Sequence, residues 1–181
     1  MKLTGELLFI GAGVAVLALS AGASAQAFKV PARAVLEIEQ SADDGSVYDY
    51  RGGDYPRGIR NNNPGNIEAG RDSWAGAAGD DGRYLIFSDI RYGVRAMARI
   101  LASYNKRGID TVAEIISTWA PGDDGNDVNS YIYSVSARSG LTPLAEIEKS
   151  DYPALIEAMI YHENGKQPLT MDTIKTGVSW A

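Results

Sequence analysis

From residue 89 onward the apolar positions of this chain recur every three or four residues, a period that predicts helices. Asp89 caps a predicted helix running to about Lys106, with Gly108 beyond its end and Val94, Met97, Ala98, Leu101 and Tyr104 on one face. Arg91, Arg95 and Arg99 form a four-spaced row on the same segment and read as a solvated face. A second helix spans Thr111 to about Trp119 and ends before Pro121. A third, about Val128 to Arg138, turns Tyr131, Ile132 and Val135 inward and stops at Gly140. Thr142-Pro143 opens a short helix, with proline at its first turn. Asp151 caps a helix from Tyr152 to Glu163 that Gly165 follows, and Thr170 caps a last one. Ahead of these, Tyr84 to Phe87 reads as a short strand, with residues near Ile67 as its partner. The fold class is mainly α, about six helices with a small β element.

The pattern differs at the N-terminus. Leu7 to Ala25 carries no charge, close to the roughly 20 apolar residues a spanning helix needs. Ala23-Ser24-Ala25 also fits a small-residue cleavage site. Residues 1–25 are therefore expected to be a signal peptide or a transmembrane anchor, and the protein to be membrane-anchored or secreted. Residues 26–56 read as a linker: "ARAVLEIEQ" has the length of a short helix, and "SADDGSVYDYRGGDYP" is rich in Gly and Asp without apolar periodicity. The domain proper is expected over residues 57–181. Gly-Asp-Asp-Gly at 79–82 and 122–125 reads as two surface turns, since neither continues into a calcium loop.

Composition narrows the function. The 181 residues accommodate one domain plus an appendage. A net charge of −6 offers no basic field to collect phosphates, so no nucleic-acid partner is expected. It also argues against purely electrostatic attraction to an anionic cell wall. Without cysteine there is no disulfide or thiolate chemistry. His162 is the one histidine; it lacks a second histidine for zinc and reads as a surface or supporting residue. No Gly-x-Ser-x-Gly elbow recommends a serine triad.

The chemistry concentrates in two places. The helix "DYPALIEAMIYHENG" carries Tyr152, Leu155, Ile156, Met159 and Ile160 on its apolar stripe, and the next position on that stripe is Glu163. Partial burial and the negative end of the helix dipole both disfavour the charged carboxylate, as a general acid working near neutral pH requires. The alternative is a helix-end glutamate that turns to solvent or pairs with an arginine. The second place is "RGIRNNNPGNI", residues 57–67. Asparagine offers two donors and an acceptor without charge, which suits amide and hydroxyl recognition, and Pro64-Gly65 sets a turn. Alternatively the asparagines bond their own backbone and build that turn. Trp74 and Trp119 are either core residues or platforms for sugar faces.

"NNNPGNI", "YNKRG" and "NSYIYSV" resemble, in that order, three segments of the lysozyme-like lytic transglycosylases. The matching residues are Asn62 to Ile67, Tyr104-Asn105 with Gly108, and Tyr131-Ile132 with Val135. In that family the catalytic glutamate precedes the asparagine-rich stretch, whereas here a helix ending "AMIYHENG" comes last. The resemblance therefore implies a circularly permuted lysozyme-like domain, as in phage virion-associated peptidoglycan-degrading proteins, over roughly residues 57–175. Surface termini make such a permutation physically tolerable. It implies Glu163 as catalytic acid, Asn62, Asn66, Ile67 and Tyr104 lining a glycan cleft, and Tyr131 beside the glutamate. Peptidoglycan is the implied substrate, with membrane contact through the N-terminal helix in a virion membrane or bacterial periplasm, in aid of phage entry or exit. No metal or other cofactor is implied. Absent an obvious second carboxylate, attack by the sugar's own hydroxyl would give an anhydro product; a hydrolytic version would need a base, for which Asp89 is the candidate. The rivals are a non-enzymatic membrane-anchored virion structural protein, and a peptidoglycan endopeptidase, which the missing thiol and metal ligands disfavour.

Overall fold

The longest predicted helix sits at the centre of the observed architecture. The computed structural model describes residues 48–122, 125 and 127–181. Its elements in chain order are α1 (Arg57–Arg60), β1 (Ala77–Asp80), β2 (Leu85–Phe87), α2 (Ile90–Asn105), α3 (Val112–Trp119), α4 (Val128–Ser139), α5 (Tyr152–Asn164) and α6 (Met171–Ser179), with a 3-10 turn at Lys149–Asp151 before α5. The domain is mainly helical, six helices and one antiparallel hairpin among the described residues. The expected apolar span, its cleavage site, the short helix near 32–40 and the two aspartates of the second Gly-Asp-Asp-Gly lie outside them.

Local chemistry sets the helix ends. The Asp89 side chain accepts from the Arg91 N–H at the start of α2. Thr111 and Glu114 form a reciprocal capping box on α3. Gly140 and Gly165 close α4 and α5 in the left-handed conformation, where a side chain would be strained. Thr170 caps α6.

Helix α5 runs through the core. Its Leu155, Ile156, Ala158, Met159 and Ile160 are all fully buried. Burying Leu155, Ile156, Met159 and Ile160 contributes roughly 6–12 kcal/mol together, so the end of α5 is firmly placed. Helix α6 lies so close on α2 that a Cβ on Gly177 would stand 2.7 Å from Val94 Cβ.

Several expectations are corrected. Strand β2 pairs with β1, with Ala77 opposite Phe87, a partner the pattern did not mark; the expected pairing near Ile67 is present as well, with Glu68 bridging Tyr84 and Leu85 N–H donating to the Ile67 carbonyl at 3.0 Å. Ala77–Asp80 is exposed throughout and shows no alternation, so the sequence does not mark it as a strand. Thr142-Pro143 forms a turn and no helix. The Pro143 carbonyl accepts from Ala113 N–H at 2.9 Å, satisfying an otherwise orphaned donor in the first turn of α3. The Asp151 side chain accepts from Glu148 N–H and does not cap α5. Residues 48–56, expected in the linker, pack onto the domain: Tyr48 N–H donates to Asp89 and Tyr50 N–H to Asn62. Arg91 is buried in an ion pair with Asp89 at 2.8 Å, between the rings of Tyr48 and Trp180. Of the three arginines only Arg99 is freely exposed.

Candidate active site

The asparagine run is a buried knot with one member reaching out of it. Asn62 takes a left-handed backbone, φ 51°, a conformation asparagine tolerates better than most residues. Its side chain is fully buried, accepts from Tyr50 N–H at 2.9 Å and donates to the Asp49 carboxylate and the Phe87 carbonyl. Asn63, equally buried, donates to the Ile67 and Leu85 carbonyls and accepts from Ile67 N–H. Asn61 donates to Asp81. Asp81 also accepts from Arg57, which with the Tyr84 N–H holds its carboxyl well below the usual range. The knot therefore ties the hairpin to α1 and α2. A Cβ on Gly93 would collide with the Asn62 carbonyl oxygen, so this glycine lets α2 press against the turn. The expected glycan-binding role of Asn62 is corrected: it faces the interior, away from the cleft.

Pro64-Gly65 then carries the chain to Asn66, again left-handed at φ 49°. Here the side chain emerges into a cleft of about 730 Å3 whose lining includes Ile67, Tyr104, Trp119, Tyr131 and Glu163. Asn66 Nδ2 donates to Glu163 Oε2 at 3.0 Å. Tyr131 Oη and Trp119 Nε1 donate to Oε1 at 2.8 and 3.1 Å. Three elements separated from Glu163 by 97, 44 and 32 residues thus converge on one half-buried carboxyl at the end of α5.

The surroundings fix the state of these donors. Burial first, and the neighbouring Glu163 second, hold the Tyr131 phenol well above its ordinary pKa, so it stays an O–H donor. The His162 ring stacks on Tyr131 with centroids 3.7 Å apart and planes 14° from parallel. Desolvation lowers the imidazole pKa, against an opposite pull from Glu163. Burial also raises the Tyr104 phenol. A rigidly held carboxyl in a polar, aromatic-walled trough is equipped to give a proton to a bound oxygen and take one back.

Of the candidate residues, the fold brings Asn66, Ile67, Tyr104, Tyr131 and Glu163 together on the cleft and leaves Asn62 out. Asp89 is also left out: it is 4% exposed and occupied by Arg91 and two backbone N–H groups, so it is corrected from candidate base to structural cap. Trp74 packs beside the hairpin core, away from the cleft. Trp119 both packs on the main core and donates to Glu163. Its position as the last residue of α3 is the one signal that could have suggested a polar task for the indole. Glu68, Arg83 and Asp127 also line the cleft, and their charge pattern gave no hint of it.

No family model matches the chain. It is similar to Protein P5 of Pseudoalteromonas phage PM2, with 41% identity over 130 residues, a match covering 68% of this chain and 81% of that protein.

Proposed function

The chain belongs to the family of Protein P5 of Pseudoalteromonas phage PM2, and from that phage kinship and the cleft we propose that it cleaves peptidoglycan glycan strands as a lytic transglycosylase on a circularly permuted lysozyme-like domain. The observation that carries the reading is the Glu163 carboxyl, placed at the end of the core helix α5 and held by Asn66, Trp119 and Tyr131.

Glu163 gives its proton to the glycosidic oxygen as the bond from that oxygen to the anomeric carbon breaks. The sugar's own hydroxyl oxygen closes on that carbon, and its proton returns to the Glu163 carboxylate, leaving an anhydro end. Hydrolysis would need a further carboxylate to activate water or act as nucleophile. The other acidic cleft residues are engaged: Glu68 pairs with Arg83 at 2.9 Å, and Asp127 accepts from Ser130 N–H at 3.0 Å. That engagement favours the transglycosylase route over the muramidase route. Asn66, Ile67, Tyr104 and Tyr131 bind the N-acetylated glycan through amide, apolar and phenolic contacts. The uncharged run Leu7 to Ala25 would hold the domain at a virion or bacterial membrane during phage entry or exit.

The test is a zymogram of the full chain on purified cell wall, with mass spectrometry of the fragments. Anhydro ends are expected, and Glu163→Gln should slow clearing by ~10²–10⁴-fold. Reducing ends would make it a muramidase. No clearing by the wild type at any pH would overturn the enzymatic reading in favour of a structural virion protein.

A further inference from the structure

Next to Glu163 in sequence, Asn164 turns inward. Its Nδ2 donates to the carbonyls of Pro64 and Ile160 at 2.8 and 2.9 Å, which fixes the orientation of its amide. Its Oδ1 is buried and has no hydrogen-bond donor among the described residues. Buried amide oxygens are normally paired, so the exception needs an explanation.

The explanation lies over Gly58. A Cβ built on this glycine would stand 2.6 Å from Asn164 Oδ1, 2.6 Å from Asn66 Oδ1 and 3.0 Å from the Asn63 carbonyl oxygen. The Asn63 carbonyl is satisfied by the Asn66 N–H at 3.0 Å, which leaves two side-chain amide oxygens, of Asn66 and Asn164, facing one small space. Among the described residues here, the side-chain amide able to change partners is that of Asn66, whose Nδ2 now points at Glu163 Oε2. Amide oxygen and nitrogen have nearly the same size, so half a turn about χ2 exchanges them with little movement of other atoms. After that turn Nδ2 lies over Gly58, where Asn164 Oδ1 also stands, and Oδ1 faces Glu163 Oε2.

We propose that Asn164 is a positioning residue that works through a reversible flip of the Asn66 amide, stabilising Glu163 when it carries its proton on Oε2. This rests on the reading of Glu163 as the acid. With Glu163 ionised, Asn66 donates to it and Asn164 Oδ1 is left unpaired. With Glu163 protonated, Asn66 accepts from the Oε2 hydroxyl and donates to Asn164. The other oxygen is a poor seat for the proton, since Trp119 Nε1 can only donate and already points at Oε1. Gly58 is required because any side chain there would occupy the space in which the amides meet.

The titratable groups beside Glu163 are Tyr131 from α4 and His162 from its own helix, with Glu68, Arg83, Tyr84, Tyr104 and Asp127 elsewhere on the cleft lining. His162 is the histidine of this group, with its pKa lowered by desolvation, so the test is run in parallel in a His162→Gln background.

The experiment uses the full chain in mild detergent, with asparagine side-chain amides labelled for nuclear magnetic resonance. Glu163→Gln is a permanent mimic of the protonated acid: its amide nitrogen would face Asn66. In this variant at neutral pH, the Asn66 amide protons should show through-space contacts to Gly58 Hα; in the wild type those contacts should appear only on acidification. Asn66 amide protons that stay on residue 163 in Glu163→Gln would overturn the proposal, as would a water found on Asn164 Oδ1 in a crystal of that variant. A second arm measures wall clearing against pH in Asn164→Leu. The alkaline limb, where the acid loses its proton, should move to lower pH by about 0.4–1 unit, the effect of one neutral hydrogen bond. A purely structural role would instead scale the rate equally at every pH, which would also overturn the proposal. Should Asn164→Leu fail to fold, the resonance arm decides. Should the wild type clear no wall, the lytic reading falls, and the amide flip still stands or falls on the resonances.

Discussion

Asn62→Ala and Asn66→Ala, four positions apart, should fail in opposite ways. Asn62 makes three side-chain hydrogen bonds in a fully buried setting. Alanine there strips a partner from the buried Phe87 carbonyl and the Tyr50 N–H, each costing about 1–2 kcal/mol. The bond to Asp49 matters less, because Arg51 already neutralises that carboxylate on the surface. Alanine must also hold a positive φ, for about 1 kcal/mol more. The sum is about 3–5 kcal/mol, which lowers the melting temperature by roughly 10–20 °C for a domain of this size. Asn66 shares the backbone strain but loses one bond, to Glu163. Its cost is about 1–2 kcal/mol, while the carboxyl loses its Oε2 partner and turnover should fall at least about tenfold. Circular-dichroism melts and wall-clearing rates of both full-length variants make the comparison. An Asn62→Ala protein that melts normally yet clears slowly would refute the assignment of Asn62 to the interior knot.

Asp89→Ala breaks a buried ion pair and removes the side-chain cap of α2, so it should cost about 3–5 kcal/mol in a denaturant titration. The pH profile of whatever activity survives should keep its shape, which a catalytic base would not allow. Gly65→Ala places a methyl 2.8 Å from Met97 Cγ and 3.0 Å from Trp119 Cζ2; it should cost about 1–3 kcal/mol and loosen the indole from Glu163, read as lower stability and slower clearing together. His162 has a folded pKa below its unfolded value of about 6.5, so the unfolded chain binds more protons and stability falls as pH drops through that window. His162→Gln should flatten the melting temperature between about pH 7 and 5, and an unchanged slope would remove the imidazole as its source.

The five long helices were legible because each combines a 3.6-residue period with a capping side chain or a terminal glycine. Glu163 was legible for the same reason, as the next step of a stripe that buries four large apolar side chains. The asparagines were not. A buried amide that closes a turn and an exposed one that meets a ligand have the same sequence signature, and only the paths of Tyr50, Leu85 and Phe87 distinguish Asn62 and Asn63 from Asn66. Residues 48–56 looked like linker because backbone bonds to distant side chains hold them, and such bonds leave no apolar period. Trp119 was ambiguous because an indole fills a core with its rings and donates with its edge.

The wide spacing of the groups around Glu163 has a consequence for the order in which the cleft is made. Asn66 is translated 97 residues before its carboxylate partner. At ~5–20 residues per second, about 5–20 s separate the synthesis of the two. During that interval the asparagine knot and hairpin can assemble around a trough that still has no acid. Helix α5, which carries Glu163, is also the helix that fills the core, so the segment that supplies the central packing is the one that brings the carboxyl to the cleft. Under the proposed lytic function, a chain that stops short of Glu163 has its cleft walls but no acid, and clears no wall.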